Sequence, residues 1–174
     1  KVSVVMAGNP YTESGEKFKI PDMLSNRADT YNLGDVSATA AGDFALSFIE
    51  NAMTSNPLLS QIPSRSHAAL YRFWQVMETD SRDGIDFDYS WSGAEETEIV
   101  NILKKLQMVQ EIVLKVNEQY IYSAAQQDDY RTEPPFKMQG SYRNMCRMAE
   151  KVQTVMTDEE VMQVIIDHYV NEAQ

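Results

Sequence analysis

Between residues 99 and 121, apolar side chains recur at spacings of three and four, and this run contains no glycine or proline. Such spacing places the side chains along one side of an α-helix. The pattern predicts one long helix over residues 95–125, beginning after Ser92-Gly93, and makes this helix central to the fold. The members of this apolar stripe are Ile99, Ile102, Leu103, Leu106, Val109, Ile112, Val113, Val116, Tyr120 and Ile121.

Further helices are predicted on both sides of the long one. An amphipathic helix runs through residues 44–53 and stops at Asn56-Pro57, because a residue before proline disfavours helical geometry. A second follows Ser64 or Ser66 as its N-cap, and residues 80–90 form an acidic, aromatic loop. After a polar connector over residues 126–135, one helix is expected over residues 141–156. Another begins at Thr157, where Thr and Glu three residues apart form a capping box.

The first residues have a different character. Residues 1–6 are rich in β-branched side chains and precede Ala7-Gly8-Asn9-Pro10, a pattern typical of a buried strand that ends in a turn. Residues 11–34 are predicted to be loop, with a short helix over residues 22–27. A lone strand has no partner for its backbone groups. The predicted fold class is therefore mainly α: a helical bundle over residues 35–174, preceded by one β-strand and a loop over residues 1–34.

Charge and composition exclude several classes of protein. Fifteen Lys and Arg against 26 Asp and Glu give a net charge of −11, which opposes non-specific binding to nucleic acid or to an anionic membrane surface. Cys146, His67 and His168 are too few and too scattered to form a metal site. No apolar run is long enough to span a membrane, and no signal-peptide pattern is present. We therefore expect a cytoplasmic protein with no metal site and no direct contact with nucleic acid.

Two segments carry a resemblance to a known family. Val4-Val5-Met6-Ala7-Gly8-Asn9-Pro10, followed by Gly15, Ile20-Pro21-Asp22-Met23-Leu24 and Asn26-Arg27, resembles the sensor-1 strand and arginine-finger region of MoxR-like AAA+ ATPases. In this chain Asn26 replaces the commoner Asp, and Ala28 replaces the Phe that follows the finger. Pro134-Pro135-Phe136-Lys137 and then Gly140-Ser141-Tyr142-Arg143-Asn144 resemble the part of the helical lid that carries the sensor-2 arginine. Within the family, residues 6–35, 120–127 and 134–149 look most like the C-terminal end of large bacterial proteins termed DNA-repair ATPases.

The resemblance implies roles for three residues. Asn9 would be sensor 1 and hold the attacking water against the γ-phosphate. Arg27 would be the finger that reaches a neighbouring subunit's nucleotide, and Arg143 would be sensor 2, crossing from the lid to the nucleotide of its own subunit. The same resemblance implies ATP and Mg as cofactors of the intact protein. It also implies partners: neighbouring subunits in a ring, commonly a hexamer, and a protein client of unknown identity.

The sequence contains no Gly-x4-Gly-Lys-Ser/Thr phosphate loop. The closest candidate, Ser14-Gly15-Glu16-Lys17, lacks the glycine spacing and the hydroxyl. Because the chain also opens on an apolar run without an initiator Met, we expect a piece of a longer ATPase that neither binds nor hydrolyses ATP by itself. Val164-Ile165-Ile166-Asp167 resembles a magnesium-binding strand but lies inside a helical pattern, so it is expected to be core.

Simpler interpretations exist for each of these residues. Gly-Asn-Pro after a strand is often only a turn, and a lone Arg is usually a solvated surface residue. Arg143, Arg147 and Lys151 recur at steps of four, which predicts three positive charges on one side of a helix. That stripe is either functional or a solvated face paired with acids such as Glu150. The alternative function is therefore a stand-alone helical interaction module whose long helix offers a binding face. An independent hydrolase is disfavoured, because the sequence shows no defensible set of nucleophile and base.

Overall fold

The computed structural model describes residues 4–5, 21–29, 39–66, 68–125 and 136–173. Within these ranges the chain forms six α-helices, one 3₁₀ helix and no β-strand, so the fold is a mainly α helical bundle, as the sequence predicts. The helices are α1 (Asp22–Ser25), α2 (Ala41–Ser55), the 3₁₀ helix (Leu59–Ser64), α3 (Ala69–Thr79), α4 (Gly93–Ala125), α5 (Tyr142–Ala149) and α6 (Asp158–Glu172).

The long helix α4 is the centre of the bundle and contacts α2, α3, α5 and α6. Its apolar stripe is the core: Ile99, Leu106 and Val113 are buried, whereas Ile121 near the C-terminal end is 51% exposed. The prediction of a long central helix is confirmed. Burying such a stripe removes apolar surface from water, which is the main favourable term in folding.

Helices α2 and α3 lie where the sequence predicts them, but the N-cap of α3 is Ala68 rather than Ser64 or Ser66. Helix α2 ends at Ser55, and the extended backbone of its C-cap Asn56 (ψ 127°) matches the bias of a residue that precedes proline. Ahead of α3, the Ser66 hydroxyl accepts a hydrogen bond from the backbone N–H of Ala69 at 3.1 Å. Between α2 and α3 lies the 3₁₀ helix, which the sequence analysis did not predict, and it buries Leu59 and Ile62.

Helix α5 is shorter than predicted, because it ends at Ala149 rather than at residue 156. The side-chain amide of Asn56 donates to the carbonyl oxygens of Ala149 at 2.9 Å and Val152 at 3.1 Å. These contacts supply partners to carbonyls that a continuing helix would bond internally. Lys151 therefore lies beyond the end of α5, and the prediction of three cations on one helical face is wrong for this residue.

Helix α6 begins with the predicted capping box, in which Thr157 and Glu160 exchange side-chain and backbone hydrogen bonds. Residues 164–167 lie within this helix, as expected. Ile165 is buried, but Ile166 and Asp167 are exposed, so only part of that run belongs to the core.

Several predictions concern the N-terminal part of the chain. Of the predicted strand over residues 1–6, only Val4 and Val5 lie within the described residues. Both have no regular secondary structure and are exposed. The short helix predicted over residues 22–27 is present as α1. The boundary between residues 34 and 35 and the connector over residues 126–135 lie outside the described residues. Across the described ranges, no helix combines the length and apolarity needed to cross a bilayer.

Candidate functional site

Arg143 is the second residue of α5, directly after the cap of that helix. The Ser141 hydroxyl accepts a hydrogen bond from the backbone N–H of Asn144 at 3.3 Å. This bond satisfies one of the donors that the first turn of a helix leaves without a partner. The side chain of Arg143 is exposed, and it makes no ion pair with any described residue. Its guanidinium is therefore available to an outside anion.

Gly140, three residues earlier, fixes the chain against α4. A methyl group in place of its hydrogen would come closer than 3.0 Å to the carbonyl oxygen of Val113 and to the backbone nitrogen of Asn117. Only glycine permits this approach of two backbones. The start of α5 is thereby held directly on the central helix.

Tyr142 attaches the same turn to α2. Its ring packs against Phe48 with centroids 4.3 Å apart, and its hydroxyl lies 2.8 Å from the hydroxyl of Ser47. An aromatic ring that is packed on one side and hydrogen-bonded at its tip has little rotational freedom. The residue immediately before Arg143 is therefore fixed in position.

Asn144 attaches the turn to α6 and is only 4% exposed. Its side-chain amide donates to both carboxylate oxygens of Glu172, at 3.0 and 2.9 Å. A buried amide that donates to a carboxylate forms a strong, charge-assisted contact. Residues 140, 141, 142 and 144, which we name the α5 platform, are thus each anchored. Arg143 projects from this platform to solvent.

Two further cations follow Arg143 along the chain. Arg147 and Lys151 are exposed and make no ion pair with a described residue. Both are close enough to His168 of α6 to act on it: burial lowers the pKa of the His168 imidazole, the charges of Lys151 and Arg147 lower it further, and Glu172 opposes them. The Nε2 atom of His168 is buried and has no hydrogen-bond partner among the described residues. The surface beside His168 therefore carries two cations and the acid Glu172, on a chain with a net charge of −11.

The other predicted site residues are not brought to this surface by any described contact. Arg27 lies just after α1, exposed, and forms no ion pair with a described residue. Asn9 lies outside the described residues. No hydrogen bond or ion pair among the described residues joins Arg27 to the α5 platform. The roles of Asn9 and Arg27 therefore stay predictions from the resemblance.

Metal and thiol chemistry have little basis among the described residues. Within the described ranges, no three His, Cys, Asp or Glu side chains group so as to hold a metal ion. Cys146 is half-buried, and its sulfur lies 3.5 Å from the carbonyl oxygen of Asn51. Neither observation adds a catalytic group to the α5 platform.

Some residues of this site were missed in the sequence analysis. Glu172 and His168 belong to α6, and nothing in their local sequence links them to α5. The sequence shows the Gly140-Ser141 dipeptide before Arg143, but it does not show that Gly140 contacts the backbone of α4. The absence of a side chain at Gly140 was the only available signal.

Comparisons with known proteins do not add to this description. No protein-family model, no curated protein and no solved structure matches this chain.

Proposed function

We propose that this chain forms the C-terminal part of a MoxR-like AAA+ ATPase, in which Arg143 senses the nucleotide from the helical lid. The observation that carries the proposal is the α5 platform. It holds the backbone of Arg143 in place, and the exposed guanidinium has no ion-pair partner among the described residues of a strongly acidic chain. The proposal also rests on the order of the sequence motifs, from the Asn9 turn through Arg27 to the Gly-Ser cap before Arg143.

A guanidinium on an anchored backbone suits phosphoryl chemistry for a physical reason. Transfer of a γ-phosphoryl group needs positioning and charge stabilisation more than covalent help from the protein. A cation whose backbone position is set before the reaction has less to reorganise when charge develops on the phosphate oxygens. The planar fork of arginine can donate two parallel hydrogen bonds to such oxygens. Because the platform contacts α2, α4 and α6, a pull on Arg143 would be transmitted to the whole bundle.

ATP and magnesium would be held mainly by other parts of the complete protein, because this sequence contains no phosphate loop. Bound ATP would supply the scissile γ-phosphate. In the proposal, Asn9 orients the attacking water, and Arg27 reaches the nucleotide of a neighbouring subunit in a ring. The work of the complete assembly would be the remodelling of a protein client in the cytoplasm.

The experiment compares two arginines of α5 in the complete ATPase. Replacing one preorganised charge contact typically costs about a hundredfold in turnover, so Arg143→Ala should lower kcat by about that factor. Arg147→Ala removes an exposed cation one helical turn away and serves as the matched control, with turnover expected near that of the parent. Equal effects of the two substitutions, or none from Arg143→Ala, would refute the assignment.

The second hypothesis, a stand-alone interaction module, named α4 as its binding face. The apolar stripe of α4 is buried from Ile99 to Val113, so the apolar side chains that this helix leaves exposed are Ile121 and Tyr122 near its C-terminal end. No described feature of that end favours a particular partner. The nucleotide-sensing hypothesis therefore stands as the main proposal.

A further inference from the structure

A groove of about 410 Å³ lies between the 3₁₀ helix and the N-terminal part of α4, apart from the α5 platform. Its volume falls in the range of roughly 300–1,000 Å³ that is usual for ligand pockets. Leu58 and Ile62 line it on one side, and Ile99 and Trp91 contribute further apolar surface. The groove can therefore accept an apolar segment of a ligand.

One acid of the groove is already neutralised. Arg65 pairs with Glu95 at 2.8 Å, and its guanidinium lies 5.5 Å from the centre of the Trp91 ring. Glu95 also accepts from the backbone N–H of Ser92 at 2.9 Å, so its carboxylate is fully engaged at the start of α4. This pair closes one side of the groove and adds no net charge to it.

A second acid in the groove is not neutralised in this way. Glu98 lines the groove, is exposed, and has no cationic partner among the described residues. The ionised groups of the lining are Arg65, Glu95 and Glu98, which leaves one uncompensated negative charge. With the net charge of −11 on the chain, this favours the approach of a cationic partner.

Trp91 forms part of the buried lining of the groove. The residue is only 8% exposed, and its indole Nε1 is closed to solvent and has no hydrogen-bond acceptor among the described residues. A ligand in the groove can therefore contact the ring, and the indole N–H serves as a reporter of that contact.

From these observations we infer that the groove between the 3₁₀ helix and α4 binds a lysine-bearing segment of a partner protein. The methylene stem of the lysine lies on Leu58, Ile62 and Ile99, as long basic side chains do on apolar surfaces. Its ammonium reaches Glu98. This inference goes beyond the nucleotide-sensing proposal and depends on none of its residues.

The test uses two short probes, acetyl-Leu-Lys-Leu-amide and its uncharged analogue with norleucine in place of lysine. Binding is followed in two-dimensional proton–nitrogen NMR spectra through the indole N–H resonance of Trp91. The chain has two tryptophans, so Trp74→Phe assigns the signal. We expect a saturable shift of the Trp91 resonance with the lysine peptide. The norleucine peptide should bind about fivefold more weakly, the factor expected for one exposed ion pair.

Two variants separate the groove from general acidity. Glu98→Gln should weaken binding of the lysine peptide about fivefold and leave the norleucine peptide unchanged. Glu111→Gln, at an exposed glutamate of α4 outside the groove lining, is the matched control and should bind like the parent. The inference is overturned by the absence of a saturable shift at Trp91, by equal affinity for both peptides, or by undiminished binding to the Glu98→Gln variant. None of these results bears on ATP hydrolysis, so the nucleotide-sensing proposal is tested separately by the Arg143→Ala experiment.

Discussion

Replacing Asn56 by alanine should destabilise the bundle more than any other single polar substitution we consider. The residue is fully buried, and its side chain joins three elements. Its amide nitrogen donates to Ala149 and Val152 at the end of α5. Its oxygen accepts from the backbone N–H groups of Leu58 at 3.1 Å and Leu59 at 3.3 Å, where the 3₁₀ helix begins.

The expected loss of stability follows from the backbone groups that would lose the Asn56 side chain as a hydrogen-bond partner. Ala149 keeps a second donor, the backbone N–H of Val152 at 3.3 Å, so its carbonyl is partly satisfied. The Val152 carbonyl and the buried Leu59 N–H lose their side-chain partner. Each buried group without a partner costs about 1–3 kcal/mol, so the two together give a loss of roughly 2–6 kcal/mol for Asn56→Ala. That is a large part of the 5–15 kcal/mol by which domains are typically stable, so the variant should be near its folding threshold.

Urea denaturation followed by far-UV circular dichroism measures the free energy of unfolding directly. Asn51→Ala is the matched control, because Asn51 is exposed and, among the described residues, its side-chain amide donates only to the carbonyl oxygen of Ser47 in its own helix, at 2.8 Å. Its change should stay within about 0.5 kcal/mol. A loss of less than about 1 kcal/mol for Asn56→Ala would refute the claim that this amide ends α5 and starts the 3₁₀ helix.

Three further predictions concern other parts of the chain. Gly140→Ala should cost at least about 2 kcal/mol of unfolding free energy, because its methyl overlaps the backbone of α4. Gly42→Ala is the control and should be neutral or slightly stabilising, because a methyl there meets nothing within 4 Å. Equal effects of the two substitutions in urea titrations would count against the close approach of Gly140 to α4. The pKa of Glu95 is lowered to about 2, first by the backbone N–H of Ser92. The stability that the Glu95 carboxylate adds to the fold is therefore fully present above its usual pKa of 4.5 and is lost as the pH falls towards 2. Glu95→Gln should flatten the curve of urea midpoint against pH over this range. An unaltered curve would contradict the lowered pKa of Glu95. Under the proposed function, Arg27→Ala in the complete protein should abolish ATP turnover while sparing ATP affinity, since a finger acts across subunits. Turnover equal to that of the parent would exclude the role.

Much of the bundle could be predicted because its helices are set by local patterns. The apolar stripe of α4, the Asn56-Pro57 stop and the Thr157 capping box each contain their cause within a few residues. The 3₁₀ helix escaped prediction because its apolar residues, Leu59 and Ile62, form a run too short to show a period.

The features that the sequence could not predict depend on residues far apart in the chain. Helix α5 ends at Ala149 because of the side chain of Asn56, which lies 93 positions earlier in the sequence. The platform around Arg143 likewise depends on Val113 of α4 and Glu172 of α6. Local sequence could predict an exposed arginine after a cap, but not that its neighbours would be anchored to three other helices.

The central proposal is that Arg143 is a cation that recognises the terminal phosphate of a nucleotide. The direct measurement is the Kd of the complete protein for ATP and for ADP, with and without Arg143→Ala. A charge-assisted hydrogen bond contributes about 1.5–3 kcal/mol, so the substitution should weaken ATP binding by roughly 10- to 100-fold and leave ADP binding nearly unchanged. Equal losses for both nucleotides, or no loss for either, would contradict the account.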